Sequence, residues 1–241
     1  MYRLPPALQT LIWLNVAVYF LDDALFDHAL AHWLALYSFG PAEPGTPGFE
    51  PWQLLTYGFI HGGFLHLFVN LFGLAMFGGD VERAWGSRRF VAYYFVCVLA
   101  AGLTQEAYAW LAGAPGVSFG ASGGLFGVLL AFAVLFPQRR IVLLVVPLAI
   151  MLFSPYPMVG AFGGVFALLV GAAVAYPRRW ILLPLVPVPM PARLFVTLYG
   201  LAELFLGVTG TQAGVAHFAH LGGLLGGWLM IRYAKLPRPV D

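Results

Sequence analysis

Long apolar runs, broken by short polar stretches and by Gly and Pro, organise this chain from end to end. A helix that crosses a bilayer needs about 20 mostly apolar residues, within a range of about 17–25. Eight runs approach that requirement: Leu8–Leu25, Leu54–Gly78, Phe90–Leu111, Gly120–Phe136, Ile141–Phe153, Met158–Tyr176, Leu194–Val208 and Gly214–Tyr233. Each predicts a transmembrane helix. Ile141–Phe153 is the shortest and contains Pro147.

Charge gives these runs a direction. The twelve basic residues form five groups: Arg3; Arg83, Arg88 and Arg89; Arg139 and Arg140; Arg178, Arg179 and Arg193; Arg232, Lys235 and Arg238. With eight spans every group falls on one side, which the positive-inside rule makes cytoplasmic. The segments Phe26–Gln53, Ala112–Phe119 and Thr209–Ala213 carry no Lys or Arg and face out. The expectation is a multi-pass protein of the cell (inner) membrane with both termini cytoplasmic. If Ile141–Phe153 did not span, one side would carry mixed basic groups. The N-terminus has no basic region followed by a cleavage site, so its first run is expected to remain as a helix.

Composition sharpens the class. Hydrophobic residues make up 61% of the chain and charged residues only 9%, against about 25% charged in soluble domains. Mean hydropathy is +0.85. The fold class expected is all-α, a polytopic membrane helical bundle. A net charge of +2, with no basic cluster interleaved with aromatics, argues against a nucleic-acid partner. The single cysteine, Cys97, lies in an apolar run and reads as a packing residue. The outer segment Phe26–Gln53 is long for a connection and rich in aromatics, including Trp33, Tyr37, Phe39, Phe49 and Trp52. It is expected to fold at the bilayer interface rather than hang free.

The chain also repeats itself. Offset by 40 residues, Gly120–Pro147 matches Gly160–Pro187 at 14 of 28 positions. Gly123, Gly124, Pro137 and Arg139 pair with Gly163, Gly164, Pro177 and Arg179, whereas Ser122 pairs with Phe162. The expected organisation is one membrane domain over 1–241, its core about 52–232, with an inserted repeat of two helices at about 141–180.

Against this apolar background the polar positions stand out. Histidine is costly in hydrocarbon, so His217 and His220 inside the last run are functional candidates. Serine is not costly there, because it bonds back to its own helix. Ser122 becomes a candidate because small residues, Gly120, Ala121 and Gly123, surround it. His220 lies six residues into the run from Gly214, about 9–10 Å along a helix axis. Ser122 enters its own helix from the same side. Gly223 and Gly227 offer a groove for the Ser122 helix, with Gly123 and Gly127 opposite, so the serine hydroxyl can reach the imidazole. Phe126 lies one turn below Ser122 on the same face.

His66 and Asn70 share a helical face, with His61 five residues earlier. Their side-chain donors suit either an oxyanion hole or hydrogen-bonded glue between helices.

Taken together, Trp52, His61-x4-His66-x3-Asn70, Glu82-Arg83-x2-Gly86-Ser87, Gly120-x-Ser122-Gly123 and Ala219-His220-x2-Gly223-x3-Gly227 resemble the rhomboid family of intramembrane serine proteases over most of Trp52–Trp228. The resemblance implies a six-helix core, Ser122 as nucleophile, His220 as base, and no metal or other cofactor. It implies that His66 and Asn70, with the backbone N–H at Ser122, bind the oxyanion, and that Phe126 packs on the histidine ring. It makes Phe26–Gln53 the first outer loop, partly in the membrane. The implied substrates are single-span membrane proteins in the lipid bilayer.

Three departures from that pattern bear on the site. Gln53 follows Trp52 where many members have Arg. Phe126 replaces a frequent tyrosine. The distance between the Ser122 and His220 helices exceeds the usual one by about one repeat. An acid is not required by a dyad, and the acids are expected to be poorly placed for one: Glu203, the carboxylate deep within a span, reads either as orienting His217 or His220 or as a neutral group bonded to backbone, and a structural role is favoured. Glu82 and Arg83 are expected to organise the cytoplasmic end of their helix. Competing classes are an inactive relative that binds membrane proteins, and a small transporter. A zinc hydrolase is disfavoured, because His-Glu-x2-His is absent.

Overall fold

The computed structural model describes residues 3–24, 28–39, 47–144, 187–210, 215–234 and 236. It divides into two units, Met1–Pro137 with Ala192–Asp241, and Gln138–Pro191. The first is an all-α bundle. Its helices are α1 (Pro6–Ala24), α2 (Ala29–Leu34), α3 (Gln53–Thr56), α4 (Phe64–Trp85), α5 (Ser87–Ala112), α6 (Ser122–Leu135), α7 (Ala192–Thr209) and α8 (His217–Tyr233). Among the described residues, α4, α5 and α7 are long and apolar enough to cross a membrane, and α6 is a shorter apolar helix. Trp13, Trp110, Leu111, Phe205 and Val208 are among the large apolar side chains exposed on the outside. In water such a surface would be a liability; in lipid it is the solvent-facing side.

Glycine sets how closely the central helices approach. On α8, Gly222 and Gly226 lie against α5, where an added Cβ would meet the Ala100 carbonyl and Thr104, or Ala100 Cβ and the Val96 carbonyl. The next residues, Gly223 and Gly227, turn to α6: a Cβ on Gly223 would overlap the Gly123 carbonyl, and one on Gly227 would meet Tyr93 and Gly127 Cα. This is small-residue packing as membrane helices use it. Tyr93 ties α5 to α6 by donating its hydroxyl to the Gly127 carbonyl at 2.7 Å.

The run expected as one helix over Leu54–Gly78 is divided. The α3 turn and a 3₁₀ turn at Tyr57–Phe59 end at Ile60, and α4 starts only at Phe64, continuing through a π-helical turn at Leu74–Gly78 to Trp85. Gly62-Gly63 interrupts the helix, and Phe119 fills the space where a Gly62 side chain would be. Glu82 holds the far end of α4. Its Oε1 accepts from Ala7 N–H (3.0 Å) and Ser87 Oγ–H (2.6 Å), and its Oε2 accepts from Leu8 N–H (2.7 Å). One carboxylate therefore satisfies two orphan donors at the N-terminus of α1 and joins the start of α5. Gly86, at φ 80°, makes the sharp turn between α4 and α5 that L side chains rarely adopt.

The segment before α3 is folded where it is described. Leu36–Tyr37 (β1) pairs antiparallel with Val117–Ser118 (β2). Buried Gln53 accepts at Oε1 from Tyr37 N–H (3.2 Å) and Glu50 N–H (3.1 Å), and Glu106 accepts from Phe39 N–H (2.9 Å). Trp52 Nε1 donates to the Trp33 carbonyl and Thr56 Oγ1 to the Leu34 carbonyl. A neutral amide at position 53 thus organises this segment without a charge.

In the second unit, Arg140–Leu144 (β3) pairs antiparallel with Pro187–Pro191 (β4). The expected helix over Ile141–Phe153 therefore begins as strand. Proline at every second position of β4 forbids helix and leaves Val188 and Met190 as its amide donors. The remainder of that run, the Met158–Tyr176 run, and most of the repeat at 141–180 lie outside the described residues.

Candidate functional site

Ser122 is the first residue of α6, and the backbone before it is tightly held. Gly120 adopts φ +121°, donates its N–H to the Tyr57 carbonyl (2.9 Å), and has the His66 ring occupying the space where a side chain would project. A residue with a Cβ would be both strained and in collision there. Ala121 N–H points to His61 Nε2 at 3.4 Å, and His61 Nδ1 lies 3.3 Å from the Phe59 carbonyl. That network assigns the proton to Nδ1 of His61. Helix geometry then leaves the N–H groups at Ser122 and Gly123 without intrahelical acceptors.

α8 brings the second half. It begins at His217, three residues later than the apolar run suggests, so His220 sits in the first turn and nearer the helix end than expected. The close approach of Gly223 to Gly123 aligns the two helices, and Ser122 Oγ–H donates to His220 Nε2 at 2.8 Å. Phe126 stacks on the His220 ring with centroids 4.2 Å apart and planes 6° from parallel. Ser122 is partly exposed and His220 buried, so the hydroxyl is accessible while its partner is shielded.

His66 and Asn70 lie one turn apart on α4, and His66 packs against the chain two residues before Ser122. His66 is partly exposed, packs against Gly120 and lies 5.0 Å from His61 between ring centroids. Asn70 is buried; its Nδ2 donates to the His66 carbonyl at 2.8 Å, and its Oδ1 has no partner. One Nδ2 proton remains beyond the His66 bond. A cleft of about 410 Å³, lined by Tyr19, Asp22, Ile60, His61, Gly63 and Phe119 among others, opens next to His61.

Glu203 departs from expectation. It projects from α7 with Oε2 2.6 Å from His217 Nδ1 and 2.9 Å from His220 Nδ1. The first contact is a hydrogen bond; the second is at ion-pair distance but off the N–H direction. The acid judged poorly placed is thus against the histidine that touches Ser122. Depth arithmetic carried a signal for it: Glu203 is six residues, about 9 Å, from the end of α7, and α8 returns from there with His217 and His220 in its first turn. Glu203, His217 and His220 also place one ligand atom each within 4.8 Å of one another. Separations of 2.6 and 2.9 Å suit hydrogen-bonded partners. Tetrahedral zinc, with bonds of about 2.0–2.1 Å, holds its ligands further apart.

The Rhomboid domain family model matches residues 48–156 and 141–235. The chain belongs to the rhomboid family. The relatives of this rhomboid include the rhomboid protease GlpG of Klebsiella pneumoniae, 28% identical over 120 residues that cover 49% of this chain and 42% of the relative. Rhomboid protein 1, mitochondrial, of Saccharomyces cerevisiae is 40% identical over 91 residues, 37% of this chain and 26% of its own length. RHOMBOID-like protein 5 of Arabidopsis thaliana is 39% identical over 82 residues, 33% of this chain and 25% of its own. The chain spans less than half the length of each of these relatives in the matched region. As a rhomboid with several apolar helices it is an integral membrane protein.

Proposed function

We propose that this rhomboid is an intramembrane serine endopeptidase that cleaves single-span membrane proteins within or beside their spans. The observation that carries the reading is the 2.8 Å contact between Ser122 Oγ and His220 Nε2. In the reaction, His220 Nε2 takes the Ser122 proton as Oγ attacks the scissile carbonyl carbon. The oxyanion formed meets the backbone N–H groups at the start of α6, with His66 and Asn70 as side-chain donors. The tetrahedral species collapses to an acyl-enzyme, and His220 returns the proton to the leaving amine. Water then attacks the ester by the same proton route. The cleft beside His61, with Asp22, Asp23 and His28 also in its lining, is the candidate entry for that water. Substrate helices must unwind before a peptide bond can be attacked, which favours spans with small or helix-breaking residues.

The distribution of Lys and Arg supports both termini in the cytoplasm and a cell (inner) membrane location. The 40-residue offset, and family matches that overlap over 141–156, support an inserted two-helix repeat. An even number of added spans leaves α8 oriented as it would be without them.

The test is cleavage of a single-span substrate in proteoliposomes, run beside fluorophosphonate labelling of Ser122. Wild type should cleave and label, and Ser122→Ala should do neither. A folded wild type that neither cleaves nor labels would leave the chain a non-catalytic binder of membrane proteins.

A further inference from the structure

Glu203 has no part in a serine–histidine dyad, yet it occupies a site that hydrocarbon makes costly. It is 4% exposed. A carboxylate at such a position persists only when it is paired. Its partners are two imidazoles, not backbone amides: His217 Nδ1 at 2.6 Å and His220 Nδ1 at 2.9 Å, both on Oε2. His220 is thereby bounded on three sides. Ser122 Oγ meets Nε2, Phe126 covers a ring face, and Glu203 meets Nδ1.

We propose that Glu203 is the positioning acid of this site, supplied from α7, and that it acts through His220 on Ser122. The inference rests on the serine-protease reading above. A carboxylate at Nδ1 favours the tautomer with the proton there, which leaves the Nε2 lone pair facing the serine hydroxyl. When Nε2 accepts the serine proton, the imidazolium is formed beside a negative charge and in a low dielectric. The proton on Nδ1 stays on Nδ1. His217 holds the same carboxylate oxygen, as the formed hydrogen bond shows. The His220 contact is off-line in the resting enzyme, and a small turn of the imidazole as its charge develops brings Nδ1–H onto Oε2. Catalytic hydrogen bonds commonly tighten in this way on passing to the transition state.

The experiment compares wild type, Glu203→Gln, Glu203→Asp and Glu203→Gln/His220→Ala in proteoliposomes. Sites that label with fluorophosphonate on prolonged exposure are counted, so that kcat is expressed per labelled site; for variants lacking His220, which do not label, folded protein is counted instead. Glu203→Gln keeps the size and an acceptor but removes the charge. It should lower kcat by about 10²–10⁴-fold with KM unchanged, the range seen when the acid of other serine proteases is altered. Glu203→Asp should recover part of that loss. The double variant should be no slower than His220→Ala alone. If Glu203→Gln does not fold, a folded Glu203→Asp must still show a lowered kcat at unchanged KM, because its carboxylate is withdrawn by one methylene.

Wild-type kcat per labelled site in Glu203→Gln or Glu203→Asp, with only fewer folded molecules, would reduce Glu203 to a tie between α7 and α8. Loss of wild-type activity on adding a zinc chelator would reassign the cluster to a metal and overturn the proposal. A wild type that neither cleaves nor labels would instead defeat the protease reading itself, so the two failures are distinguishable.

Discussion

Glu82 and Glu203 are the same side chain in the same apolar bundle, buried to 1% and 4% exposure, and their partners separate them. Glu82 accepts from two backbone amides and a hydroxyl, groups that do not titrate near neutral pH. It closes the N-terminus of α1 and the turn into α5. Glu203 faces two imidazole rings, one of which touches Ser122. Burial alone would rank the two together. Donor chemistry separates an anchor, whose charge matters to the fold, from a carboxylate set against the histidine that touches Ser122.

The strongest break in that comparison comes from the pair itself. Ser122→Ala and His220→Ala should each abolish cleavage, a loss of about 10⁶-fold by analogy with other serine proteases, and the double variant should be no worse. Thermal unfolding in detergent should scarcely change, because the glycine contacts between α6 and α8 remain. If either variant kept wild-type activity, the Glu203 end of the bundle would lose its claim to be the reactive one.

Gly120→Ala should come next. Its Cβ would meet His66 Cε1 and Nε2 at 2.7 and 2.8 Å in a backbone conformation that alanine resists. If His66 serves the oxyanion as proposed, the displaced ring withdraws that donor, and kcat should fall about 10²–10³-fold with a smaller change in KM. A pure KM effect would move His66 from the oxyanion to substrate binding.

Glu82→Ala should invert the pattern. It strands the Ala7 and Leu8 amides, and each unsatisfied buried donor costs about 1–3 kcal/mol. The midpoint of thermal unfolding should drop, while kcat per labelled site stays at the wild-type value. A kcat that fell with Glu82 would erase the distinction between the two carboxylates.

Much of this was legible in the sequence for a physical reason. Apolar run length is dictated by bilayer thickness, so the spans of α5, α6 and α7 could be read to within a few residues. The Gly223 and Gly227 spacing fixed which face of α8 meets α6, because close helix approach tolerates only small residues. What escaped was set by backbone breaks and tertiary neighbours. Apolar residues before Gly62-Gly63 continue the hydrophobic run without continuing the helix, which hid the late start of α4. The prolines of β4 lie between two predicted runs, and their pairing with Arg140–Leu144 depends on a distant segment. Glu203 was visible as a carboxylate in an apolar run. Choosing between an orienting and a structural reading required the short return from α7 to α8, which carries the two histidines to its depth, to be converted into a distance.

His217 gives the finest test of the comparison, and the smallest effect. It shares the Glu203 carboxylate with His220 but does not contact the serine that His220 holds at 2.8 Å. If Glu203 acts through His220, removing His217 leaves the Glu203–His220–Ser122 contacts in place and loosens the carboxylate. His217→Ala should therefore keep measurable activity, with kcat reduced by about tenfold or less, equivalent to roughly 1.4 kcal/mol. His217→Gln, which restores a donor, should recover part of the loss. Cleavage rates per labelled site for these variants, measured beside His220→Ala, decide the matter. Equal and complete loss at His217 and His220 would mean that both histidines serve proton transfer. Survival of His220→Ala with loss at His217 would mean that the base is His217, and Glu203 would then be oriented for the other imidazole.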